Sequence, residues 1–188
     1  MKTIFTFILA FFFVSFLAQA QDERGIFEIT FDEFSPPTQD LIMSFEGKEP
    51  MQFLANDIKG EEYYLKNFKG KVVFVYFWKG DCATCLSQVS SLNLLNSEEK
   101  DRLQIISFVD EGKEDASLLA QQNGVEFPVL TNGKLLGEAA YGIELGYPRL
   151  FAIDTDGKVT TVIPQAALDG KADIYLQLKD LLDKVANR

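Results

Sequence analysis

The alternation of hydrophobic and polar residues along the chain predicts a sheet with a deeply buried centre. Residues 72–78 read VVFVYFW, seven apolar or aromatic side chains without an interruption. A strand covered on both faces has this composition, whereas a strand with one solvent-facing side alternates. Residues 103–109 (LQIISFV) predict a second buried strand of the same kind. These two runs indicate the middle of one sheet.

The remaining pattern predicts helices that alternate with shorter strands. Residues 82–96 place Leu86, Val89, Leu92 and Leu95 on one stripe, as in an amphipathic helix. Further helices are predicted at 114–123, 135–141 and 173–186, and shorter extended segments at 53–55, 62–65, 127–130, 149–154 and 159–163. This order predicts an α/β fold, a central mixed sheet with helices on both faces.

Residues 21–46 are expected to form an N-terminal β extension. Residues 25–34 alternate between apolar and polar side chains, which predicts a strand that ends at Pro36-Pro37. Residues 41–45 are interpreted as a second strand, so that the segment would form a hairpin on the main sheet. Residues 47–188 are expected to form the main domain.

The first twenty residues have the features of a cleaved signal peptide. Lys2 precedes an apolar run from Ile4 to Leu17, and Ala18-Gln19-Ala20 follows. The run is shorter than the roughly 20 residues that span a bilayer. An uncleaved membrane anchor is the alternative interpretation. Cleavage would leave Gln21 as the mature N-terminus and place the protein in the periplasm or outside the cell.

Charge and composition exclude several function classes. The formal net charge is −10, which argues against nucleic acid as a partner. The chain has no histidine, which removes Ser-His-Asp triads, Cys-His pairs and most zinc or haem ligation. We therefore expect neither a metal nor another cofactor.

The two cysteines, Cys82 and Cys85, are the strongest chemical signal. They open a predicted helix directly after the buried strand, where free N–H groups and the helix dipole favour a thiolate. Cys82 is expected to attack a partner disulfide and Cys85 to resolve the mixed disulfide. Half of a zinc site, a structural disulfide across a very short loop, and two ordinary core thiols remain the alternatives.

With these residues the chain resembles the thioredoxin superfamily, and within it the TlpA/ResA-like exported thiol–disulfide oxidoreductases. The likeness covers about residues 47–188, including residues 65–71 (LKNFKGK) before the buried strand and residues 143–154 (IELGYPRLFAID). It implies a thioredoxin fold with a βα insertion and a reductase of protein disulfides. Partners would be protein thiols or disulfides and a membrane or soluble redox protein. We expect a monomer, since no dimerisation segment is evident.

Three residues are expected to bind substrate, and the resemblance implies two of them. Pro148 would have a cis peptide bond and face the cysteines, leaving the backbone of Tyr147 free to pair with an extended substrate. Trp78 would form the floor of the site at the end of the central strand.

Several residues depart from the pattern of the family. Asp81 occupies the usual Trp position before the first cysteine and is expected to raise the pKa of Cys82. Lys79 would compensate if it points inward. Gln88 stands where some ResA-like members carry Glu, and Tyr76 where thioredoxins keep a buried Asp.

Three other functions are compatible with the same cysteines. An oxidant or isomerase would need only a higher reduction potential. A peroxiredoxin-like peroxidase would need a Thr three residues before the attacking cysteine, where the chain has Lys79. A peptide-binding module with degenerate redox activity would use the groove beside Tyr147 and Pro148.

Overall fold

The structure is a computed structural model that describes residues 36–142, 146–168 and 173–187. The predicted signal peptide and the strand predicted at 25–34 lie outside these residues. The strands are β1 (Leu54–Asn56), β2 (Glu62–Tyr64), β3 (Val72–Trp78), β4 (Leu103–Val109), β5 (Val129–Leu130), β6 (Arg149–Ile153) and β7 (Val159–Ile163). The α-helices are α1 (Pro36–Phe45), α2 (Ala83–Ser87), α3 (Val89–Glu98), α4 (Lys113–Gln122), α5 (Gly133–Leu136), α6 (Gln165–Leu168) and α7 (Tyr175–Ala186).

The main sheet is mixed and has the strand order β5-β4-β3-β6-β7. Strand β3 pairs parallel with β4 and antiparallel with β6, and β1 and β2 form a separate two-stranded sheet. All seven side chains of β3 are buried, as the uninterrupted apolar run predicted. The mixed α/β architecture predicted from the sequence is confirmed.

The residues of β3 alternate between two hydrophobic clusters. Phe74, Tyr76 and Trp78 lie on the face covered by the apolar sides of α3 and α7. Val73, Val75 and Phe77 lie in the opposite cluster, which contains Ile42 of α1 and Tyr141. Covering on both faces explains why this strand carries no polar face.

The strand predicted at 41–45 is wrong, because this segment belongs to helix α1. Proline at the start of a helix costs little, since the first N–H groups have no intrahelical partner. Leu41, Ile42 and Phe45 then fall on one helical face. Phe45 packs edge-on against Phe151, with ring centroids 5.1 Å apart, and stacks on Tyr141 at 6.3 Å.

Two predicted helices are interrupted. The helix expected at 82–96 divides into α2 and α3 at Gln88. The helix expected at 135–141 is α5 followed by a π-helical turn, Gly137–Tyr141. None of the described helices is both long and apolar enough to cross a membrane.

An ionic cluster ties the end of α3 to α7. Glu99 accepts hydrogen bonds from the side chains of Arg102 and Lys179, and Arg102 also pairs with Asp183. The hydrogen bond from Arg102, followed by that from Lys179, lowers the pKa of Glu99 from 4.5 to about 2. The cluster therefore stabilises the ionised carboxylate.

Candidate active site

The topology of the sheet brings three loops to one edge. Parallel pairing places Trp78 of β3 opposite Val109 of β4, so the loops that follow both strands start side by side. Strand β6 runs in the opposite direction and pairs Arg149 with Phe77. Pro148, directly before β6, therefore arrives at the edge where the chain leaves β3 toward Cys82.

Cys82 and Cys85 form a disulfide whose two sulfurs differ in access to solvent. Cys82 is partly exposed, whereas Cys85 is fully buried. Cys82 caps α2, and its Sγ accepts a hydrogen bond of 3.1 Å from the backbone N–H of Cys85. Because α2 has only five residues, this direct N–H contact would stabilise negative charge on Cys82 Sγ more locally than the dipole of a long helix does.

A neutral hydrogen-bond network lies beneath Cys85. The Tyr76 hydroxyl lies 3.2 Å from Gln88 Oε1 and 3.4 Å from the Cys85 carbonyl oxygen. The Gln88 amide donates to the Leu168 carbonyl oxygen at 3.1 Å. Both side chains are fully buried, and burial raises the pKa of Tyr76, which keeps the hydroxyl protonated. Cys85 therefore rests on uncharged polar groups.

Trp78 supports the site from inside the core. Its indole is fully buried in the same cluster as Cys85, and its Nε1 donates to Ser107 Oγ at 3.1 Å. Its role as the floor of the site stays a prediction. An indole without exposed surface does not line the groove, so contact with a substrate would require the site to open.

An open groove of about 330 Å³ borders the disulfide. Its lining residues are Lys79, Cys82, Ala83, Thr84, Gly146, Tyr147 and Gln165. The bond between Tyr147 and Pro148 is cis, as the resemblance implied, and Pro148 itself is buried. Of the three residues expected to bind substrate, only Tyr147 lines the groove.

Charged side chains surround the mouth of this groove. Lys79 Nζ lies 3.1 Å from Asp81 Oδ1 and 5.7 Å from the centroid of the Tyr147 ring. The Tyr147 hydroxyl donates to Asp110 Oδ1 at 2.6 Å. Burial and then this hydrogen bond raise the pKa of Tyr147, so the phenol stays neutral.

Sequence reasoning missed two residues of this site. Gln165 reaches the groove from α6, and Asp110 holds the Tyr147 ring from the end of β4. Neither position carries a local signal, because each residue is distant in sequence from the residue that it meets. Among the described residues, no three His, Cys, Asp or Glu side chains are grouped to hold a metal ion.

The fold and the cysteine pair define a class, the thioredoxin-fold proteins with a Cys-X-X-Cys disulfide after the central strand. The sequence model of the Redoxin family matches residues 40–177, and the chain belongs to this family. It is 31% identical over 135 residues to the thiol–disulfide oxidoreductase ResA of Bacillus thuringiensis subsp. konkukian (strain 97-27), covering 70% of this chain and 76% of ResA.

Solved structures show the same fold. A thiol:disulfide interchange protein from Bacteroides sp. has a TM-score of 0.61 at 21% identity, covering 76% of this chain and 91% of that chain. The exposed lipoprotein thioredoxin of Streptococcus pneumoniae strain TIGR4 has a TM-score of 0.56 at 26% identity, covering 71% and 99%. With the ResA relationship and the paired cysteines, the protein is a thiol–disulfide oxidoreductase.

Proposed function

We propose that the protein is an exported reductase of protein disulfides. The observation that supports this most is the unequal burial of the two sulfurs, Cys82 at the groove and Cys85 behind it. A substrate sulfur can approach Cys82, whereas Cys85 is shielded from solvent.

The exchange runs in two balanced steps. In the reduced enzyme the Cys82 thiolate attacks a substrate disulfide, forming one S–S bond and releasing one substrate thiolate, which takes a proton. Cys85 then loses its proton and attacks the mixed disulfide, which releases the second substrate thiol and closes the Cys82–Cys85 disulfide. Two electrons pass to the substrate, and a dithiol partner must restore them.

The charges near Cys82 favour the reducing direction. A strong oxidant of this type owes its high potential to a stabilised reduced form. Here the positive charge of Lys79 is paired with Asp81, so the attacking sulfur lies beside no net positive charge. Such a thiolate is stabilised only modestly, which favours a potential near that of thioredoxin.

The groove suits an extended polypeptide. It is open, and its walls are the start of α2 on one side and Gly146 and Tyr147 on the other. An extended substrate segment that carries a disulfide could lie between these walls and place one of its sulfurs against Cys82.

The proposal of export rests on the sequence of residues 1–20. The name of the pneumococcal relative, an exposed lipoprotein, is consistent with it. Expression of the full chain in a bacterial host, followed by fractionation and N-terminal sequencing, tests this part. A mature protein that begins at Gln21 is expected, and an intact N-terminus retained in the cytoplasm contradicts export.

The reduction potential of the Cys82–Cys85 pair tests the redox direction. Equilibration with glutathione or dithiothreitol and thiol counting should give a value near thioredoxin's, about −270 mV. A value near −120 mV would instead make the protein an oxidant.

A trapping experiment tests the division of labour between the sulfurs. Cys85→Ser should accumulate a mixed disulfide with a protein substrate through Cys82, whereas Cys82→Ser should accumulate none. Equal trapping by both variants contradicts the assigned roles.

Rapid oxidation of Cys82 by hydrogen peroxide would favour a peroxidase. Substrate binding without measurable exchange would favour a peptide-binding module.

A further inference from the structure

Lys79 occupies an unusual position for a charged residue in this site. It follows directly after the buried strand β3 and lines the same groove as Cys82. Its side chain is 38% exposed, whereas that of its partner Asp81 is 78% exposed. The ammonium therefore lies on the groove side of the ion pair, and the carboxylate lies toward solvent.

The surroundings hold this ammonium in place. Lys79 Nζ lies within the range of a cation–π contact with Tyr147, and the hydrogen bond from Tyr147 to Asp110 fixes that ring. The loop itself is clamped, because the Gly80 N–H donates to Glu111 Oε1 at 2.7 Å. A Cβ at Gly80 would lie 2.8 Å from the same oxygen and 3.1 Å from Leu119, so a larger residue would displace the Glu111 side chain that holds the loop.

We propose that Lys79 is the cation that stabilises the Cys82 thiolate in the reduced enzyme, and that Asp81 limits this effect by sharing the same ammonium. In the oxidised state Asp81 is the anion that Lys79 meets. Reduction adds a second anion at Cys82, which lines the same groove as Lys79. The Lys79–Asp81 pair thereby makes Cys82 more reactive than a sulfur with no cation nearby and less reactive than a sulfur beside an unpaired cation. This inference rests on the proposed thiol–disulfide exchange and holds for either direction of electron flow.

The other groups near Cys82 do not supply this positive charge. Cys85 lies behind it in α2, Gln165 of α6 is neutral, and burial together with Asp110 keeps Tyr147 protonated. Within the described residues, the titratable and charged groups that face Cys82 or support its surroundings are Lys79, Asp81, Cys85, Asp110, Glu111 and Tyr147. Lys79 is the cation of this set.

The size of the effect follows from the exposure of the pair. Two unit charges in contact interact weakly in water and several times more strongly near a protein surface. A partly exposed ammonium that Asp81 also attracts lies toward the weaker limit. We therefore expect Lys79 to change the thiolate population of Cys82 about three- to tenfold at a pH below the pKa of the thiol.

Alkylation of Cys82 by iodoacetamide, in full-length reduced protein carrying Cys85→Ser, measures this directly. At pH 6, Lys79→Met should slow alkylation about three- to tenfold, and Asp81→Asn should accelerate it by a similar factor. Combining both substitutions should bring the rate back toward that of the parent protein. The rate–pH profile of Lys79→Met should move to higher pH.

Two further variants separate charge from packing. Lys79→Arg retains the positive charge and should alkylate at close to the parent rate. Lys69→Met removes a comparable exposed ion pair, with Glu49, at the opposite end of β3 and should leave the rate unchanged. In the chain with both cysteines, measured at a pH above the pKa of the Cys82 thiol, Lys79→Met should lower the reduction potential by about 14 to 30 mV, the equivalent of a three- to tenfold change.

The outcomes are distinct from those of the reductase proposal, because alkylation of the reduced sulfur does not require turnover of a protein disulfide. A Lys79→Met protein that alkylates at the parent rate overturns the assignment. A Lys79→Arg protein slowed as much as Lys79→Met also overturns it, since the effect would then come from the shape of the side chain.

Discussion

Replacing Gln88 by Glu should make the stability of the protein depend strongly on pH. Gln88 is fully buried at the break between α2 and α3, where its amide donates to the Leu168 carbonyl oxygen. A carboxylate at this place would direct negative charge at that carbonyl. Only the protonated acid can donate there, so the folded state should hold the introduced carboxyl in its neutral form.

The magnitude follows from the burial and the lost donor. Fully buried carboxyl groups have a pKa raised by up to about 3 to 5 units, and each unit corresponds to about 1.4 kcal/mol. An acid with a raised pKa in the folded state loses stability as the pH rises above its unfolded value of about 4.3. If the folded-state pKa exceeds 7, ionisation of the unfolded-state carboxyl should add about 3 to 4 kcal/mol to the cost of Gln88→Glu at pH 7. Near pH 4 the cost should be only about 1 kcal/mol, for the altered hydrogen bonds.

Equilibrium unfolding of the oxidised protein in urea at pH 4, 5.5 and 7 measures this trend. Gln121→Glu, the same substitution at an exposed position of α4, is the matched control and should change little with pH. Gln88→Met removes the amide without adding a titratable group, so its cost should not vary with pH. If Gln88→Glu is as stable relative to the parent at pH 7 as at pH 4, the inferred neutral, dry surroundings of Cys85 are wrong.

Three further predictions address the core and the surface. Trp78 is the single tryptophan and is packed with Cys85, so its fluorescence should change when the disulfide is reduced; identical spectra in both states count against this placement. Glu99→Gln should lower the free energy of unfolding by about 1 kcal/mol at pH 7, and urea titrations should show this deficit fading between pH 4.5 and about 2, because the lowered pKa stabilises the fold only above that window. A deficit that persists unchanged at pH 2 argues against the ionic cluster. Phe45→Ala should cost about 2 kcal/mol in the same assay, while Met43→Ala on the exposed side of α1 should cost under about 0.5 kcal/mol; equal effects would mean that α1 does not dock as described.

The central strands could be predicted from the sequence because their burial leaves a local mark. Strands β3 and β4 have the bounds that their apolar runs predicted, and β7 does as well. A strand buried on both faces has to be apolar at every position, so no knowledge of its neighbours is needed. The cysteine pair is equally local, since two intervening residues allow both sulfurs to meet.

Short segments without a clear period could not be assigned in this way. Residues 41–45 are too few for periodicity to separate a strand from a helix, and the outcome was α1. The site depends even more on distant contacts. Gln88 meets Leu168, Tyr147 meets Asp110, and Gly80 meets Glu111, across 80, 37 and 31 positions of the chain.

The sequence by itself therefore determined the class of fold, the place of the cysteine pair after the central strand, and the order of the main-sheet strands along the chain. Tertiary structure decided what surrounds the pair, including the neutral network under Cys85 and the position of Lys79 between Asp81 and Tyr147. The physical reason is that a buried strand and a closely spaced cysteine pair leave their mark on consecutive residues, which the sequence displays directly. By contrast, the electrostatic surroundings of a sulfur are set by side chains that only the packing of the sheet brings together.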